Sequence, residues 1–163
     1  MIGIIFGSSM GNTEEAASFL AENLGLENEL LNVANCDAAK LNGFDKLILG
    51  VSTWGTGDLQ DDWDAFDFGG LKLSGKTVAI FGTGDAESYA DSFCGAMGKL
   101  YDEVVKAGAN VVGAVSVDGY KFDESEAVRG GKFVGLPLDA DNESEKTEPR
   151  ISAWIEQIKP YFA

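Results

Sequence analysis

Short aliphatic segments alternate along this chain with longer amphipathic segments, and this alternation limits the possible folds more than any other feature. The aliphatic segments are rich in β-branched residues and predict strands at residues 2–6, 29–33, 46–52, 77–81 and 110–117. Their nearly continuous apolar character is typical of strands that are buried on both faces. The sequence therefore predicts a sheet that is covered on both sides.

The segments between the strands carry apolar residues at helical spacing. They predict helices at residues 13–24 and 91–106, and a C-terminal helix that is capped by Thr147 and has Pro149 in its first turn. Alternating strands and helices require crossover connections, which are almost always right-handed and join parallel strands. We therefore predict a doubly wound α/β domain with a parallel sheet between two layers of helices.

Composition is typical of an ordinary globular protein and excludes several functions. The 163 residues are 45% hydrophobic and 24% charged, which predicts one domain over residues 1–163. The formal net charge is −15, so nucleic acids and anionic membrane surfaces would be repelled. Because the sequence contains no histidine, a Ser-His-Asp triad, a Cys-His pair and a histidine-ligated zinc site are excluded.

The cysteines and the N-terminal residues bear on the cellular compartment. Cys36 and Cys94 are far apart and form no C-x-x-C pair, so neither a disulfide framework nor a structural zinc site is predicted. The apolar run at residues 1–6 is too short for a signal peptide, and no run is long enough to span a membrane. We expect a cytoplasmic protein with reduced thiols.

The loops after the first, third and fourth predicted strands are candidates for a ligand site, because open α/β sheets bind ligands beyond the carboxyl ends of their strands. Residues 7–13 are rich in glycine and hydroxyl side chains and lead directly into a helix, whose N-terminus attracts phosphate. They match neither a Walker A loop nor the G-x-G-x-x-G pattern. A phosphate monoester site is therefore favoured, and simple N-capping is the alternative.

Two aromatic residues lie in the other two loops. Trp54 is part of the glycine-rich segment 52–59, and Tyr89 is part of segment 82–89. A tryptophan is more often a core residue, but in a loop beside a phosphate site it offers a flat face for stacking. Two aromatic faces and a phosphate site together indicate a planar phosphorylated ligand.

Several motifs together resemble those of flavodoxins. They are residues 8–13, Thr53-Trp54, Phe81-Gly82-Thr83-Gly84-Asp85 followed by Tyr89-Ala90-Asp91-Ser92-Phe93-Cys94, and Phe133-Val134-Gly135-Leu136. The resemblance spans nearly the whole chain, and the run after Val117 is similar to the loop that splits the fifth strand in long-chain members. It implies a five-stranded parallel sheet in the order 2-1-3-4-5, bound FMN, and electron transfer in place of substrate turnover.

The resemblance also implies which residues bind FMN. The phosphate would be held by Ser8, Ser9, Gly11, Asn12 and Thr13, while Met10 replaces the usual hydroxyl residue. Trp54 and Tyr89 would enclose the isoalloxazine ring, with Tyr89 as the outer wall. Gly55-Thr56 would be the peptide whose carbonyl turns toward flavin N5 on one-electron reduction. The other implied contacts are Ser52, Thr53, Gly57, Thr83, Gly84, Asp85, Asp91 and Cys94.

The redox cycle and the partners are further implications of the resemblance. A low-potential carrier would alternate between the neutral semiquinone and the hydroquinone of FMN, because nearby carboxylates disfavour an anionic hydroquinone. Partners would be redox enzymes with basic docking surfaces, of the ferredoxin-NADP reductase or pyruvate oxidoreductase type, and the carrier would be a monomer. A quinone or nitro reductase, which needs an open pocket over the flavin, is one alternative. A phospho-acceptor domain is disfavoured because Gly7-Ser8-Ser9 and Ser52-Thr53 supply no acidic cluster.

Three polar segments predict features other than flavin binding. Carboxylates at Asp58, Asp61, Asp62, Asp64 and in segment 85–91 would steer basic partners toward the flavin, with generic solubility as the alternative. Residues 118–132 predict an inserted loop, which is either a surface excursion or a docking surface. The acidic run 139–144 lacks the glycine of a calcium loop and predicts a solvent-exposed approach to the last helix.

Overall fold

The computed structural model describes residues 1–7, 11–54 and 57–163. The strands are β1 Ile2–Gly7, β2 Asn28–Asn32, β3 Lys46–Trp54, β4 Asp58–Leu59, β5 Thr77–Thr83, β6 Asn110–Val112, β7 Val115–Ser116, β8 Val128–Arg129, β9 Lys132–Phe133 and β10 Leu136–Leu138. The α-helices are α1 Asn12–Asn23, α2 Ala38–Asn42, α3 Asp61–Asp64, α4 Gly95–Lys106 and α5 Thr147–Phe162. Short 3-10 helices occupy Val33–Asn35, Phe68–Gly70 and Ser144–Lys146.

A parallel sheet forms the centre of the fold. β1 pairs with β2 on one side and β3 on the other, β3 pairs with β5, and β6 and β10 both pair with the outer edge of β5. The order across the sheet is therefore β2-β1-β3-β5, with β6 and β10 together at the far edge. When only the parallel strands are numbered, and β6 and β10 are counted as two halves of one strand, this order is 2-1-3-4-5. This confirms the predicted doubly wound fold.

Successive side chains of the central strands contribute to two different cores. Ile4 of β1 belongs to a cluster with Leu20 of α1 and Trp154 of α5. Its neighbour Ile5 belongs to a second cluster with Leu100 of α4. Because neighbouring side chains in a strand point to opposite faces, a strand between two helical layers must be apolar at every position. This explains the uninterrupted aliphatic runs of the sequence.

The fifth strand is interrupted earlier than the sequence predicted. A continuous strand over residues 110–117 is wrong, because β6 ends at Val112 and is followed by Gly113 with a φ of +91°. A Cβ at Gly113 would lie 2.9 Å from Trp154 Nε1, which donates a 2.9 Å hydrogen bond to the Gly113 carbonyl. The left-handed glycine turns the chain out of the parallel sheet. Val115–Ser116 then pairs with β9 instead of β5.

The insertion is therefore longer than residues 118–132 and fills the interval between β6 and β10. β7, β9 and β8 form a small antiparallel sheet in this interval. Its aromatic residues pack on the body of the fold: the ring centroids of Phe93 and Phe133 are 6.1 Å apart, and those of Tyr120 and Phe133 are 5.2 Å apart. The backbone N–H groups of Asp123 and Glu124 both donate to the carbonyl of Ala90. The insertion is thereby attached to the loop that precedes α4.

The helix starts also differ from the predictions in two places. α4 begins at Gly95 instead of residue 91, because Cys94 has a left-handed φ of 51° and cannot continue a helix in the N-terminal direction. The N-cap of α5 is Lys146 instead of Thr147, and the Thr147 hydroxyl is buried without a hydrogen-bond partner. Pro149 lies in the first turn of α5, as predicted. Within the described ranges, no helix has both the length and the apolar character required to cross a bilayer.

Candidate functional site

A cleft of about 410 Å³ opens at the edge of the sheet where β3 and β5 end and α1 begins. Its described lining consists of Asn12, Thr13, Ser52, Thr53, Trp54, Thr83, Gly84, Asp85, Tyr89 and Asp141. Every one of these residues except Asp141 is a site position predicted from the sequence. The predicted positions Ser8, Ser9, Met10, Gly55 and Thr56 lie outside the described residues.

The start of α1 forms one end of the cleft. The N-cap is Gly11, whose φ of 91° is a left-handed conformation that favours glycine. Glycine has no side chain that could cap the helix, and the first two helical residues, Asn12 and Thr13, line the cleft. The positive end of the helix dipole therefore lies at the cleft. A helix start of this kind attracts an anion such as a phosphate group.

Trp54 lines the cleft from the end of β3. Its side chain is 41% exposed, and its Nε1 donates a 3.0 Å hydrogen bond to Ser52 Oγ. The adjacent Thr53 Oγ1 accepts a 3.2 Å hydrogen bond from the backbone N–H of Ala96, at the start of α4. Since Trp54 is also paired with Asp58 of β4, the indole is held at the tip of an antiparallel strand pair.

Tyr89 lines the same cleft from the loop after β5, and its side chain is 46% exposed. Its backbone N–H donates a 3.0 Å hydrogen bond to the carbonyl of Asp85. The carboxylate oxygen Oδ1 of Asp85 accepts hydrogen bonds from the backbone N–H groups of Ser88 at 3.0 Å and Glu87 at 3.1 Å. These bonds, that from Ser88 most of all, lower the pKa of Asp85. One ionised carboxylate thus organises the loop that carries Tyr89.

Residues after β10 reach the same place, which the sequence did not predict. Asp139 is only 1% exposed, so a solvent-exposed run is wrong at this position. Its Oδ2 accepts a 3.2 Å hydrogen bond from the backbone N–H of Ala86. Asn142 Nδ2 donates to Asp139 and also to Asp85 Oδ1, at 2.8 Å. Their position in the sequence could have indicated this: they follow the apolar run that ends the split fifth strand, and the strand ends converge on this edge of the sheet.

Asp141 is the cleft-lining residue that sequence reasoning missed. The residue is exposed, but partial desolvation of its carboxyl raises the pKa of Asp141, and the neighbouring negative charges of Asp85 and Asp139 raise it further. The described lining includes Asp85 and Asp141 and no lysine or arginine. A ligand in the cleft is therefore exposed to a negative electrostatic environment near Asp141.

Other predicted positions among the described residues do not line the cleft. Cys94 is buried directly behind Gly84, since a Cβ at Gly84 would lie 3.0 Å from Cys94 Sγ. Burial raises the pKa of the Cys94 thiol well above its ordinary value. Gly57 is buried and closely approaches the start of α4: a Cβ on Gly95 would lie 3.1 Å from Gly57 Cα. Asp91 is exposed and lines a groove beside the insertion.

The described residues fit an FMN molecule. Large apolar side chains normally leave water, yet Trp54 and Tyr89 stay substantially exposed, and both line one cleft. The volume of the cleft is within the usual range for a small-molecule site. The helix start at Asn12 supplies an anion site at the same cleft. Two aromatic faces and an anion site are the features that a planar ring with a phosphate tail requires.

Known proteins that are similar to this chain support an FMN site. The sequence model of the flavodoxin family matches residues 4–154. The chain is 46% identical to a flavodoxin of Picosynechococcus sp., over 99% of this chain and 97% of that protein. It is 44% identical to flavodoxin 1 of Azotobacter vinelandii, over 99% of this chain and 97% of that protein.

A solved structure is similar over almost the same extent. It is the flavodoxin of Fusobacterium nucleatum bound to flavin mononucleotide, with a TM-score of 0.93 and 33% sequence identity. The match covers 99% of this chain and 98% of that one. A Bacillus cereus flavodoxin 2 in its oxidised form matches with a TM-score of 0.74 and 28% identity, over 99% of both chains.

Proposed function

The chain belongs to the flavodoxin family, and we propose that residues 1–163 act as a single-domain, low-potential electron carrier that binds FMN in the cleft described above. Flavodoxins are FMN-dependent electron-transfer proteins and not enzymes that turn over a substrate. The bound FMN supplies one-electron chemistry, for which we propose cycling between its neutral semiquinone and its hydroquinone. The observation that carries the proposal is the exposure of two aromatic side chains, Trp54 and Tyr89, to one cleft.

The aromatic residues would bind the two faces of the isoalloxazine ring. Stacking on Trp54 and Tyr89 buries apolar surface on both partners and excludes water from the ring. The bond from Trp54 Nε1 to Ser52 Oγ restricts the orientation of the indole. The backbone of Thr83, Gly84 and Asp85 would meet the polar edge of the ring.

The phosphate would lie at the start of α1. Asn12 and Thr13 line the cleft there, and we propose that Ser8, Ser9, Met10 and Gly11 complete the site with backbone N–H groups and hydroxyls. The charge of the phosphate favours this position because the positive end of the helix dipole lies at Asn12.

The carboxylates near the ring would lower the potential of the second reduction step. Asp85 and Asp141 line the cleft, and a further negative charge in the same cleft would be costly in a partly desolvated site. Addition of the second electron to the bound group is therefore disfavoured, which lowers its potential. We also propose that the Gly55-Thr56 peptide offers its carbonyl to flavin N5, since a glycine there would reduce the steric cost of a peptide flip.

The partners of a flavodoxin are redox enzymes. For this chain we propose enzymes with basic docking surfaces, of the ferredoxin-NADP reductase or pyruvate oxidoreductase type. The net charge of −15 favours their approach. We further propose that the carrier acts as a monomer in the cytoplasm.

An anaerobic redox titration of the FMN-loaded protein tests the proposal. We expect a yellow protein that quenches the fluorescence of added FMN and turns blue on partial reduction, as the first electron and a proton are taken up. Direct reduction to the colourless form without a blue stage would contradict the proposed cycle. NADPH oxidation by the isolated protein would instead support the reductase alternative.

A further inference from the structure

A polar bridge joins the residues after β10 to the loop that carries Tyr89. Asn142 Nδ2 lies 2.8 Å from Asp85 Oδ1, 3.1 Å from Asp139 Oδ1 and 3.0 Å from Asp139 Oδ2. Asn142 itself does not line the cleft. We propose that Asn142 is a positioning residue that holds the Tyr89 loop in its FMN-binding conformation. The inference rests on the proposed role of Tyr89 as a wall of the flavin site.

The chemistry of the bridge explains why an amide occupies this position. An ionised carboxylate can only accept hydrogen bonds, so Asp85 and Asp139 cannot bond to each other and repel each other as like charges. The amide NH₂ of Asn142 has two hydrogens and no charge, and it can donate to both carboxylates at once. Asp139 is 1% exposed, and it also accepts the backbone N–H groups of Ala86 and Asn142. Loss of the Asn142 amide would therefore leave these backbone bonds in place but remove the donor that links Asp139 to Asp85.

The bridge reaches Tyr89 through a short series of hydrogen bonds. Asn142 bonds to Asp85 Oδ1, the same oxygen that accepts the backbone N–H groups of Glu87 and Ser88. The carbonyl of Asp85 accepts the backbone N–H of Tyr89. The carboxylate and the backbone carbonyl of Asp85 therefore both hold the chain that leads to Tyr89. Asn142 contacts the carboxylate from outside the loop.

A second contact from the same segment holds the beginning of the loop. Asp139 Oδ2 accepts the backbone N–H of Ala86, and Asn142 in turn contacts Asp139. The side chains of Glu87, Ser88 and Tyr89 are exposed, so apolar packing contributes little to fixing this part of the loop. The hydrogen bonds from residues 139–142 consequently have a large share in its order.

FMN affinity of the apoprotein is the direct test, measured from the fluorescence of free FMN during titration with each variant. We expect Asn142→Ala to raise the Kd by roughly tenfold, which corresponds to the loss of one hydrogen bond to a charged group. Asn142→Asp should weaken binding at least as much at neutral pH, because it removes the donor and adds a third carboxylate. If Asn142→Ala fails to fold, Asn142→Ser serves in its place.

The matched control for charge is Asn110→Asp. Asn110 is exposed and begins β6, opposite Thr77 at the end of β5 that is distant from the cleft. The substitution makes the same chemical change, and we expect an unchanged Kd. A comparable loss of affinity in this variant would mean that the added charge, and not the loss of the bridge, weakens binding in Asn142→Asp.

A double-mutant cycle with Tyr89→Ala separates positioning from a general structural effect. If Asn142 acts through Tyr89, then Asn142→Ala should change the Kd less than about twofold in the Tyr89→Ala background. The visible flavin spectra of Tyr89→Ala and of the double variant should then be the same. An equal loss of affinity in both backgrounds would overturn the positioning role but leave the proposed function intact. Failure of the wild-type protein to bind FMN would refute both.

Discussion

The hydroxyl oxygens of Thr13 and Thr83 lie 3.0 Å apart beside the cleft. Thr13 is in the first turn of α1 and Thr83 is the last residue of β5. Both residues are buried, and both line the site. This hydrogen bond therefore fixes the anion-attracting start of the helix relative to the loop that carries Tyr89.

Replacement of either threonine by valine tests this connection. Thr83→Val keeps the shape of the side chain but removes a partner of the buried Thr13 hydroxyl, so we expect the free energy of unfolding to fall by about 1–2 kcal/mol. Urea unfolding of the apoprotein measures the change. The double variant Thr13→Val/Thr83→Val should lose less than the sum of the two single variants, because it leaves neither hydroxyl unpaired. Strictly additive losses would show that the two hydroxyls are not coupled.

The stacking role of Tyr89 predicts a loss of affinity without a loss of stability. We expect Tyr89→Ala to weaken FMN binding by roughly tenfold or more, since it removes an aromatic face. Tyr89→Phe should retain most of the affinity. Because the side chain is 46% exposed, the free energy of unfolding should change by less than about 0.5 kcal/mol.

Tyr161→Ala is the matched control for this prediction. Tyr161 is 56% exposed on α5 and does not line the cleft, so its loss should leave FMN affinity unchanged. Titration with riboflavin adds a second check, since it has the ring but no phosphate. Tyr89→Ala should weaken riboflavin and FMN binding by similar factors. A loss confined to FMN would contradict a stacking role.

The centre of the fold could be predicted from the sequence, but the departures from regular structure could not. β1, β3 and β5 have apolar residues facing both helical layers. A strand that is buried on both faces is recognisable in the sequence as a continuous aliphatic run. The end of β6 depends on Gly113 and its contact with Trp154, which is 41 residues away. Local periodicity carries no information about such a contact.

The same distinction applies to the site. Trp54 and Tyr89 could be predicted because Trp54 ends β3 and Tyr89 lies in the loop after β5, and strand ends converge at one edge of the sheet. The roles of Asp139 and Asn142 depend on Asp85, which is 57 residues from Asn142 in the chain. An acidic run with such distant partners resembles an ordinary solvent-exposed segment when only the sequence is considered.

Glu143 predicts a pH dependence of stability. Its carboxylate accepts hydrogen bonds from Lys146 Nζ at 2.6 Å and Arg150 Nη2 at 3.2 Å, and the bond from Lys146 contributes most to lowering the pKa of Glu143. A carboxyl with a lowered pKa in the folded state stabilises the protein above its unfolded pKa of about 4.3. This contribution is lost as the pH falls through the folded-state pKa.

We therefore expect Glu143→Gln to lower the free energy of unfolding at neutral pH by about 0.5–1 kcal/mol. The difference from wild type should shrink as the pH falls below about 4. Urea unfolding at a series of pH values measures it. Glu145→Gln, an exposed neighbour, should show a smaller difference at neutral pH. A difference for Glu143→Gln that stays constant from neutral to acidic pH would argue against the ion pairs as its cause.

The three aspartates of α3 predict a salt-dependent rate of electron transfer. Asp61 and Asp64 are exposed, and Asp62 is half-buried with its Oδ2 accepting a 2.9 Å hydrogen bond from Gln60 Nε2. These carboxylates follow β4, which pairs with the end of β3 that carries Trp54. They therefore lie on the same side of the molecule as the cleft, where a basic partner would be steered toward the bound flavin.

Conversion of all three aspartates to asparagine should lower the association rate with a basic redox enzyme several-fold at low ionic strength. The dependence of the rate on salt should also become weaker, since fewer charges contribute to the long-range attraction. Stopped-flow measurement against a ferredoxin-NADP reductase over a range of salt concentrations tests both effects. The control variant changes Glu22, Glu27 and Glu156 to glutamine, which removes the same charge from exposed positions that do not line the cleft. If net charge alone governs association, the association rates of the two triple variants will fall equally. That result would exclude specific steering by the three aspartates of α3.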